Sequence, residues 1–272
     1  MSPVADARLD VLPRVIERVR ELALDYRPPD FAHVPDPDAA LFLCAVDHKT
    51  GYEREHRVDG TGPYAGSELM WVVALRSARR EPGMLTAARL KTASAEDVAR
   101  WFFIADETVA DPQRRATLWR DLAEGLERDY GGSAARLVAA CGGTLGGPDG
   151  LIALLRPFEA YSDPLAKKAF LFAKIAERRG WLEVVDPDSW EVSADNVLMR
   201  IALRSGLVAE GPLDRVRPAT REAMKALAAA TGISPPVLDD MLWELGRDNP
   251  DLLGRAGGEV HEPPRELDSA WY

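Results

Sequence analysis

Asp195 is the residue whose type and position most clearly suggest chemistry. The run from Ser193 to Gly206 predicts a helix that Ser193 or Asp195 caps and that Gly206 stops. A carboxylate in the first turn of a helix meets free backbone N–H groups and the positive end of the helix dipole, which favour its ionised form. Such an anion can stabilise an oxocarbenium-like sugar or orient an attacking water. On local sequence alone an ordinary helix cap is the commoner interpretation.

Two lysines precede this carboxylate on a helix predicted to open at Asp163-Pro164 and to run through Arg179. Lys174 lies 21 residues before Asp195, and Lys168 lies 27 residues before it. A lysine facing a helix-terminal carboxylate can bind a phosphate, or act as a Schiff-base nucleophile if desolvation lowers its pKa. The alternative is a solvated basic face. The sequence favours Lys174 as the catalytic lysine, with Lys168 as a substrate-binding residue or a competing nucleophile.

Asp239 and Trp243 lie one turn apart, and therefore on one face of a helix predicted to run from Ser234-Pro235 to Gly246. A tryptophan can stack on a nucleobase while a carboxylate accepts its N–H groups. The competing interpretation places Trp243 in the core and Asp239 on the solvated first turn. The sequence leaves these two alternatives even.

The segment from Val192 to Val208 resembles a run found in helix-hairpin-helix DNA glycosylases of the endonuclease III type. Asp195, Arg200 and the closing stretch 204–207 match that run, whereas Asn196 and Val197 replace its Thr-His pair. The resemblance implies that Asp195 is catalytic and that a lysine of the preceding helix approaches it. The glycine-rich hairpin that usually precedes that helix, and commonly grips duplex phosphates, is absent.

A longer, collinear resemblance joins the chain to the queuosine salvage family, whose members release queuine from queuosine 5′-phosphate. The segments that carry it are Phe42–Asp47, Gly66–Ala78, Leu85–Phe102, Arg114–Ser133, Phe172–Lys174, Ala194–Asp195, Leu238–Trp243 and the terminal Tyr272. By this resemblance Asp195 is catalytic, Lys174 faces the substrate, and Asp47, Asp239 and Trp243 line the pocket. The residues that follow Asp47 and Asp195 depart from the family, so the chemistry can carry over without the base specificity.

The last third of the chain also resembles the archaeal 8-oxoguanine DNA glycosylase family. Arg204–Val208 and Gly232–Trp243 are the matching segments. In that family the aspartate and the tryptophan that correspond to Asp239 and Trp243 contact a flipped base, so this resemblance implies a base-binding role for both.

The elements that must position these residues are mostly helices, because apolar residues recur at helical spacing over residues 3–26 and again after residue 66. Residues 27–38 are predicted to form an extended connector, and residues 254–264 a loop-like tail. Helix starts are predicted at Ser94, Asp111 and Ser133, with the helix from Asp111 running to about Tyr130, and a further helix is predicted over Arg217–Ala230. The sequence predicts a mainly α, helix-hairpin-helix DNA-glycosylase-like array with a small β element near residues 41–58. That element comprises a buried strand over Leu41–Val46 and a hairpin in Tyr52–Val58, with Gly60–Gly66 as a loop. We expect one unit over 1–272, or two helical subdomains at about 1–150 and 151–272 with the active site between them.

Composition and net charge restrict the classes of partner and the location that we expect. The net charge of −10 disfavours a duplex DNA partner without excluding it, although basic strips occur at Arg76, Arg79 and Arg80, at Arg114-Arg115, and along Lys167–Arg179. Two isolated cysteines give no metal or disulfide pattern. His48 and His56 are expected on the surface, and Gly142–Gly147 is expected to be a loop rather than a phosphate-binding loop. No secretory signal or membrane span is recognised, so a cytoplasmic location is expected.

These observations together predict a cofactor-free, metal-free N-glycosidase that acts on a modified purine or 7-deazapurine nucleotide. Asp195 and Lys174 would be catalytic, and Asp47, Asp239, Trp243, Lys168 and Trp71 would bind the substrate. The competing predictions are an 8-oxoguanine DNA glycosylase with lyase activity, and a nucleotide- or DNA-binding module without turnover. The oligomeric state is left open.

Overall fold

The computed structural model describes residues 7–256, where the chain is mainly helical with one two-stranded antiparallel sheet. The predicted fold class, a mainly α array with a small β element, is confirmed. The predicted helix from residue 3, the loop-like tail to residue 264 and Tyr272 lie partly or wholly outside the described residues. The helices are α1 (Leu12–Asp25), α2 (Pro37–Ala45), α3 (Gly66–Arg80), α4 (Ala87–Leu90), α5 (Ala95–Trp101), α6 (Pro112–Tyr130), α7 (Ala134–Ala140), α8 (Leu151–Leu155), α9 (Lys167–Arg178), α10 (Asn196–Ser205), α11 (Leu213–Thr231) and α12 (Pro235–Asp248).

The described residues divide into two compact units, and the N-terminal helix belongs with the C-terminal third of the chain. Residues 7–30 and 188–256 form the unit named here the terminal unit, and residues 31–187 form the central unit. The division between the central unit and the C-terminal part of the terminal unit therefore falls near residue 187, whereas the sequence predicts it at about residue 150.

The terminal unit contains α1 and α10–α12 around its own core. Each of these helices buries one apolar face, as an amphipathic surface helix does. The core residues include Val15, Val19, Leu198, Ile201, Met224, Leu227, Leu238 and Leu242. Gly206 ends α10 with a φ of 76°, a left-handed conformation that glycine adopts without steric cost.

The central unit contains α2–α9 and the hairpin, and α2 occupies the place of the predicted strand. The prediction of a strand at Leu41–Val46 is wrong. Asp36 caps the helix by accepting a 2.8 Å hydrogen bond from the Ala39 amide, and Pro37 occupies a first-turn position. Residues 39–45 are all buried, and a short run that is apolar on every side does not distinguish a buried helix from a buried strand.

The sheet also begins later than predicted. Its strands are β1 (His56–Val58) and β2 (Thr61–Tyr64), paired with His56 opposite Tyr64 and Val58 opposite Thr61. The second strand thus lies in Gly60–Gly66, which was predicted to be a loop. The tight turn uses Asp59 and Gly60, both at positive φ.

Several helix starts that were read from capping residues are confirmed. Ser94 forms a capping box with Asp97, and Asp111 and Ser133 cap the helices that follow them. Helix α9 begins at Lys167 rather than at Pro164, because the Asp163 carboxylate first accepts the Leu165 and Lys167 amides in a turn. Helix α11 begins at Leu213, four residues earlier than predicted. None of the described helices is both long and apolar enough to cross a bilayer.

Candidate active site

Asp195 is the N-cap of α10, as the sequence predicted, and it is nearly buried. Its Oδ1 accepts hydrogen bonds from the Val197 amide at 2.9 Å and the Leu198 amide at 3.0 Å, and the residue is 8% exposed. These two amides are among the four that a helix leaves without an internal partner. The arrangement fixes the carboxylate and places hydrogen-bond donors and the positive end of the helix dipole against its negative charge.

Charged side chains of α11 and α12 bind the backbone that leads into Asp195. Arg217 Nε donates to the Ala194 carbonyl at 3.0 Å, and Arg221 Nε donates to the Val192 carbonyl at 3.3 Å. On α12, Asp239 Oδ1 accepts the Ser193 amide at 2.9 Å. Residues 192–194 are thus each bound by a charged side chain, which restrains the position of Asp195. Neither Arg217 nor Arg221 is predicted from the sequence, since nothing in their local pattern distinguishes them from surface arginines.

Asp239 and Trp243 lie on one face of α12. Asp239 is 6% exposed and binds the Ser193 backbone, so the alternative that placed it on a solvated first turn is wrong. Trp243 is half-buried at the edge of the terminal core, and the Arg247 guanidinium lies 5.5 Å from its ring centroid. The structure therefore brings Asp195 and Asp239 to one short backbone segment, with Trp243 one turn beyond Asp239.

In the central unit, Asp47 and Trp71 are direct partners. Asp47 follows α2 and is 6% exposed. Its carboxylate accepts the Ser67 hydroxyl at 2.8 Å and the Trp71 indole N–H at 3.2 Å. Ser67 and Trp71 are one turn apart on α3 and so reach the same carboxylate. Trp71 and Asp47, both predicted to line the pocket, lie together.

Lys168 is buried and bonds to His48. Its Nζ lies 2.5 Å from the Ala45 carbonyl and 3.1 Å from His48 Nδ1, and the residue is 1% exposed. Burial lowers the pKa of Lys168 well below its ordinary value; the charges of Lys167 and Arg115 add to this, and Asp47 opposes it. The solvated basic face considered for Lys168 is therefore wrong.

His48 is buried as well, which overturns its predicted surface position. It is 6% exposed, and burial together with the charge of Arg115 holds its pKa far below the ordinary value. Nothing in the local pattern around His48 indicates this burial, because its partner lies 120 residues away in the chain. His56 is half-buried in the hairpin and lies 3.3 Å from Glu107.

Lys174 lies on the same helix as Lys168 but points elsewhere. The two are six residues apart on α9, which places their side chains about 120° apart around the helix axis. Lys174 is 4% exposed, so it too is no part of a solvated basic face.

Arg115 is buried, although the sequence predicts it in a basic strip on the surface. It is fully buried, and its guanidinium donates to the carbonyls of Ala110, His48 and Lys49. Burial lowers its pKa to about 10. With Arg115, Lys168 and Lys174 all buried, two of the three basic strips offer less positive surface than the sequence indicated, whereas Arg79 and Arg80 of the third are exposed.

Two other features carry none of the predicted site residues. A cavity of about 320 Å³ in the central unit is lined by residues that include Asp36, Leu75, Arg79 and Thr86. In the Gly142–Gly147 loop, the Leu145 and Gly146 amides bind the Asp186 carboxylate at 2.8 and 2.9 Å. Within residues 7–256, no cluster of three or more histidine, cysteine or acidic residues is arranged to hold a metal ion.

Comparison with known proteins adds one structural likeness. No protein-family model and no curated protein matches the chain. Among solved structures, the 8-oxoguanine DNA glycosylase from Pyrobaculum aerophilum, in complex with 8-oxoguanosine, is similar over 88% of each chain, with 15% sequence identity and a TM-score of 0.48. A likeness of this degree does not bear on the activity or the substrate, so the proposals below rest on the residues of this chain.

Proposed function

We propose that the chain is an N-glycosidase that hydrolyses the base–sugar bond of a modified purine or 7-deazapurine nucleotide, with Asp195 as the catalytic carboxylate. One observation carries the proposal: a nearly buried carboxylate is fixed at the N-terminus of α10, on a segment that charged side chains restrain. A carboxylate fixed in this way can stabilise the positive sugar that develops as the base departs and can direct water to it.

Residues of the terminal unit also supply groups for binding the base. Trp243 is half-buried and offers an aromatic surface, and Asp239 lies one turn away. In the central unit, the Asp47 carboxylate and the indole of Trp71 are the groups proposed to bind substrate. Lys174 remains the sequence-based choice for the lysine that faces the substrate.

A free nucleotide is the favoured substrate over duplex DNA. The chain carries a net charge of −10, and three basic residues in two of its three predicted strips are buried. Because phosphate contacts dominate duplex affinity, both observations disfavour a duplex partner.

The test is a panel of modified nucleoside 5′-phosphates and lesion-containing oligonucleotides, scored by the free base released. We expect release from a 7-deazapurine or modified purine monophosphate, and loss of release with retained binding in Asp195→Asn. Binding of the panel without any release would instead identify a nucleotide- or DNA-binding module. An Asp195→Asn variant that releases base at the wild-type rate would refute the role of Asp195.

A second activity, lyase cleavage through a lysine, is favoured by the buried contacts of Lys168, whose Nζ binds the Ala45 carbonyl and His48 Nδ1 and whose pKa burial lowers. An uncharged amine can form an imine with the aldehyde of an abasic sugar, whereas an ammonium ion cannot. Borohydride trapping on abasic DNA tests this activity: we expect an adduct that Lys168→Gln abolishes and that Lys167→Gln, the neighbouring control, retains. Loss of the adduct in Lys174→Gln alone would assign the chemistry to Lys174. Absence of any adduct would leave hydrolysis as the single activity.

A further inference from the structure

The contacts of Lys168 use both N–H groups of an uncharged amine. Nζ lies within hydrogen-bond distance of the Ala45 carbonyl, which can only accept, and of His48 Nδ1. If His48 carries its proton on Nε2, Nδ1 accepts the second N–H of Lys168. A neutral amine then has both hydrogens bonded and its lone pair left over, whereas an ammonium ion would have a third hydrogen to satisfy.

The position of His48 is itself fixed by another buried residue. Arg115 donates to the backbone carbonyls of His48 and Lys49, and α2 ends immediately before this segment. The imidazole therefore meets Lys168 from a restrained backbone. A histidine whose pKa is far below its ordinary value stays neutral at neutral pH, which is the state that Nδ1 needs in order to accept.

Neighbouring charges act on the pKa of Lys168 in both directions. The C-terminus of α2, whose Ala45 carbonyl binds Nζ, and the Asp47 carboxylate favour an ammonium ion. Burial, Lys167 on α9 and Arg115 on α6 disfavour it, and burial is the largest effect. Cys44 has a pKa raised well above its ordinary value by burial, so it supplies no thiolate to balance a charged Lys168.

We propose that His48 is a positioning residue for Lys168, which it holds as an uncharged amine whose lone pair is used by neither hydrogen bond and can attack an electrophilic carbonyl carbon. The ligand class is an aldehyde. The Nζ lone pair forms the C–N bond as the carbonyl π electrons move to oxygen. The nitrogen then loses two protons and the oxygen leaves as water, giving a neutral imine. For its biological substrate the inference rests on the second proposed activity, but the amine chemistry can be measured without it.

The test is native-state labelling with formaldehyde and cyanoborohydride, followed over pH and read at each lysine by mass spectrometry. For an amine below its pKa, the uncharged fraction rises about tenfold per pH unit. We expect the labelling of Lys168 to level off at a lower pH than that of an ordinary lysine side chain, with half-buried Lys167 as the internal control for access of the reagent. In His48→Ala water can reach Nζ and solvate the ammonium ion, so labelling of Lys168 at neutral pH should fall at least about tenfold. His48→Gln keeps an acceptor and should restore much of the rate, and His56→Ala should change nothing.

The outcomes separate this inference from the proposed functions. Lys168 that is labelled only as fast as the whole chain unfolds would overturn it, and so would a pH profile that His48→Ala leaves unchanged. If the profile shifts as expected but no substrate yields base or a trapped adduct, the amine pair stands and the proposed functions fail. If base is released while Lys168 never reacts, the proposed N-glycosidase function stands and the amine pair fails. Circular dichroism of His48→Ala and His48→Gln distinguishes a folded variant from an unfolded one.

Discussion

The two units place buried ionisable groups in opposite surroundings. In the terminal unit, Asp195 meets backbone N–H groups at the start of a helix, which stabilise a negative charge. In the central unit, Lys168 meets one carbonyl and one neutral imidazole, and burial shifts it toward its uncharged form. The two sites therefore differ in kind: Asp195 faces donors suited to an anion, whereas at Lys168 burial outweighs the carbonyl and the Asp47 carboxylate that favour an ammonium ion.

The largest effect is expected from a variant that removes the charge of Asp195 and keeps its side chain as the cap of α10. Asparagine caps helices about as well as aspartate, so Asp195→Asn should change the unfolding free energy by less than about 0.5 kcal/mol. Base release should fall by about 100-fold or more, because a fixed charge next to the reacting sugar is lost. Asp36→Asn is the matched control, since Asp36 caps α2 in the same way but is exposed. Equal effects of the two variants on turnover would remove the distinction between a catalytic carboxylate and an ordinary cap.

Arg217 tests whether Asp195 depends on its restrained backbone. Arg217→Met leaves the Ala194 carbonyl without this donor, and we expect a loss of about 1–3 kcal/mol in unfolding free energy. Turnover should fall about tenfold as the carboxylate loses its position. Arg221→Met is the control, with a smaller expected effect, since Arg221 is half-buried and its bond to Val192 is longer, at 3.3 Å. Denaturant unfolding and turnover measured on both variants decide the point.

Lys168 should make the stability of the protein depend on pH at values below the ordinary lysine pKa. Its folded-state pKa lies below the ordinary value of 10.5, so the unfolded chain binds more protons between these two values. The unfolding free energy therefore gains a contribution that rises with pH, by up to about 1.4 kcal/mol per unit, and that levels off above the unfolded pKa.

Cys44 and Tyr52, whose pKa values burial raises, act in the opposite direction at high pH, so the difference between two variants is the useful quantity. Subtracting the profile of Lys168→Met from that of the wild type should show the rising contribution, and Lys167→Met should not remove it. A flat difference would mean that Lys168 stays charged in the folded protein.

The smallest effect is expected at Ser67. Ser67→Ala removes the hydroxyl from Asp47 but leaves the indole N–H of Trp71 in place. We expect a loss of about 0.5–1.5 kcal/mol in unfolding free energy, the usual contribution of one hydrogen bond. Thermal unfolding at neutral pH measures it, with Ser133→Ala giving the scale for a capping serine at the surface of the same unit.

The features that the sequence predicted well are those set by neighbouring residues. Asp195 caps α10 and Gly206 ends it, and Asp111 opens a helix that ends at Tyr130, because caps and stops act within a few residues. The strand at Leu41–Val46 failed for the converse reason. An all-apolar run carries no periodicity, and the Asp36-Pro37 start signal was read as part of a connector instead.

The parts of the candidate site that the sequence missed depend on distant partners. His48 was expected on the surface, Arg115 was counted as surface charge, and Arg217 was not singled out. Each acts through contacts that local spacing does not encode, such as the bond from Lys168 to His48. Asp47 and Trp71 were both expected to line the pocket, although nothing in their spacing indicates that they bond to each other.

The bonds made by the carbonyls of α2 also bear on how the chain folds. The Phe42, Leu41 and Ala45 carbonyls accept hydrogen bonds from Trp119, Tyr161 and Lys168, at sequence separations of 77, 120 and 123 residues. Helix α2 has no polar face, so it exposes apolar side chains to water until those later residues have been synthesised. Contacts this far apart slow folding, because long loops must close before the contacts can form. We therefore expect α2 to be the segment of a nascent chain that most needs protection from self-association on the ribosome.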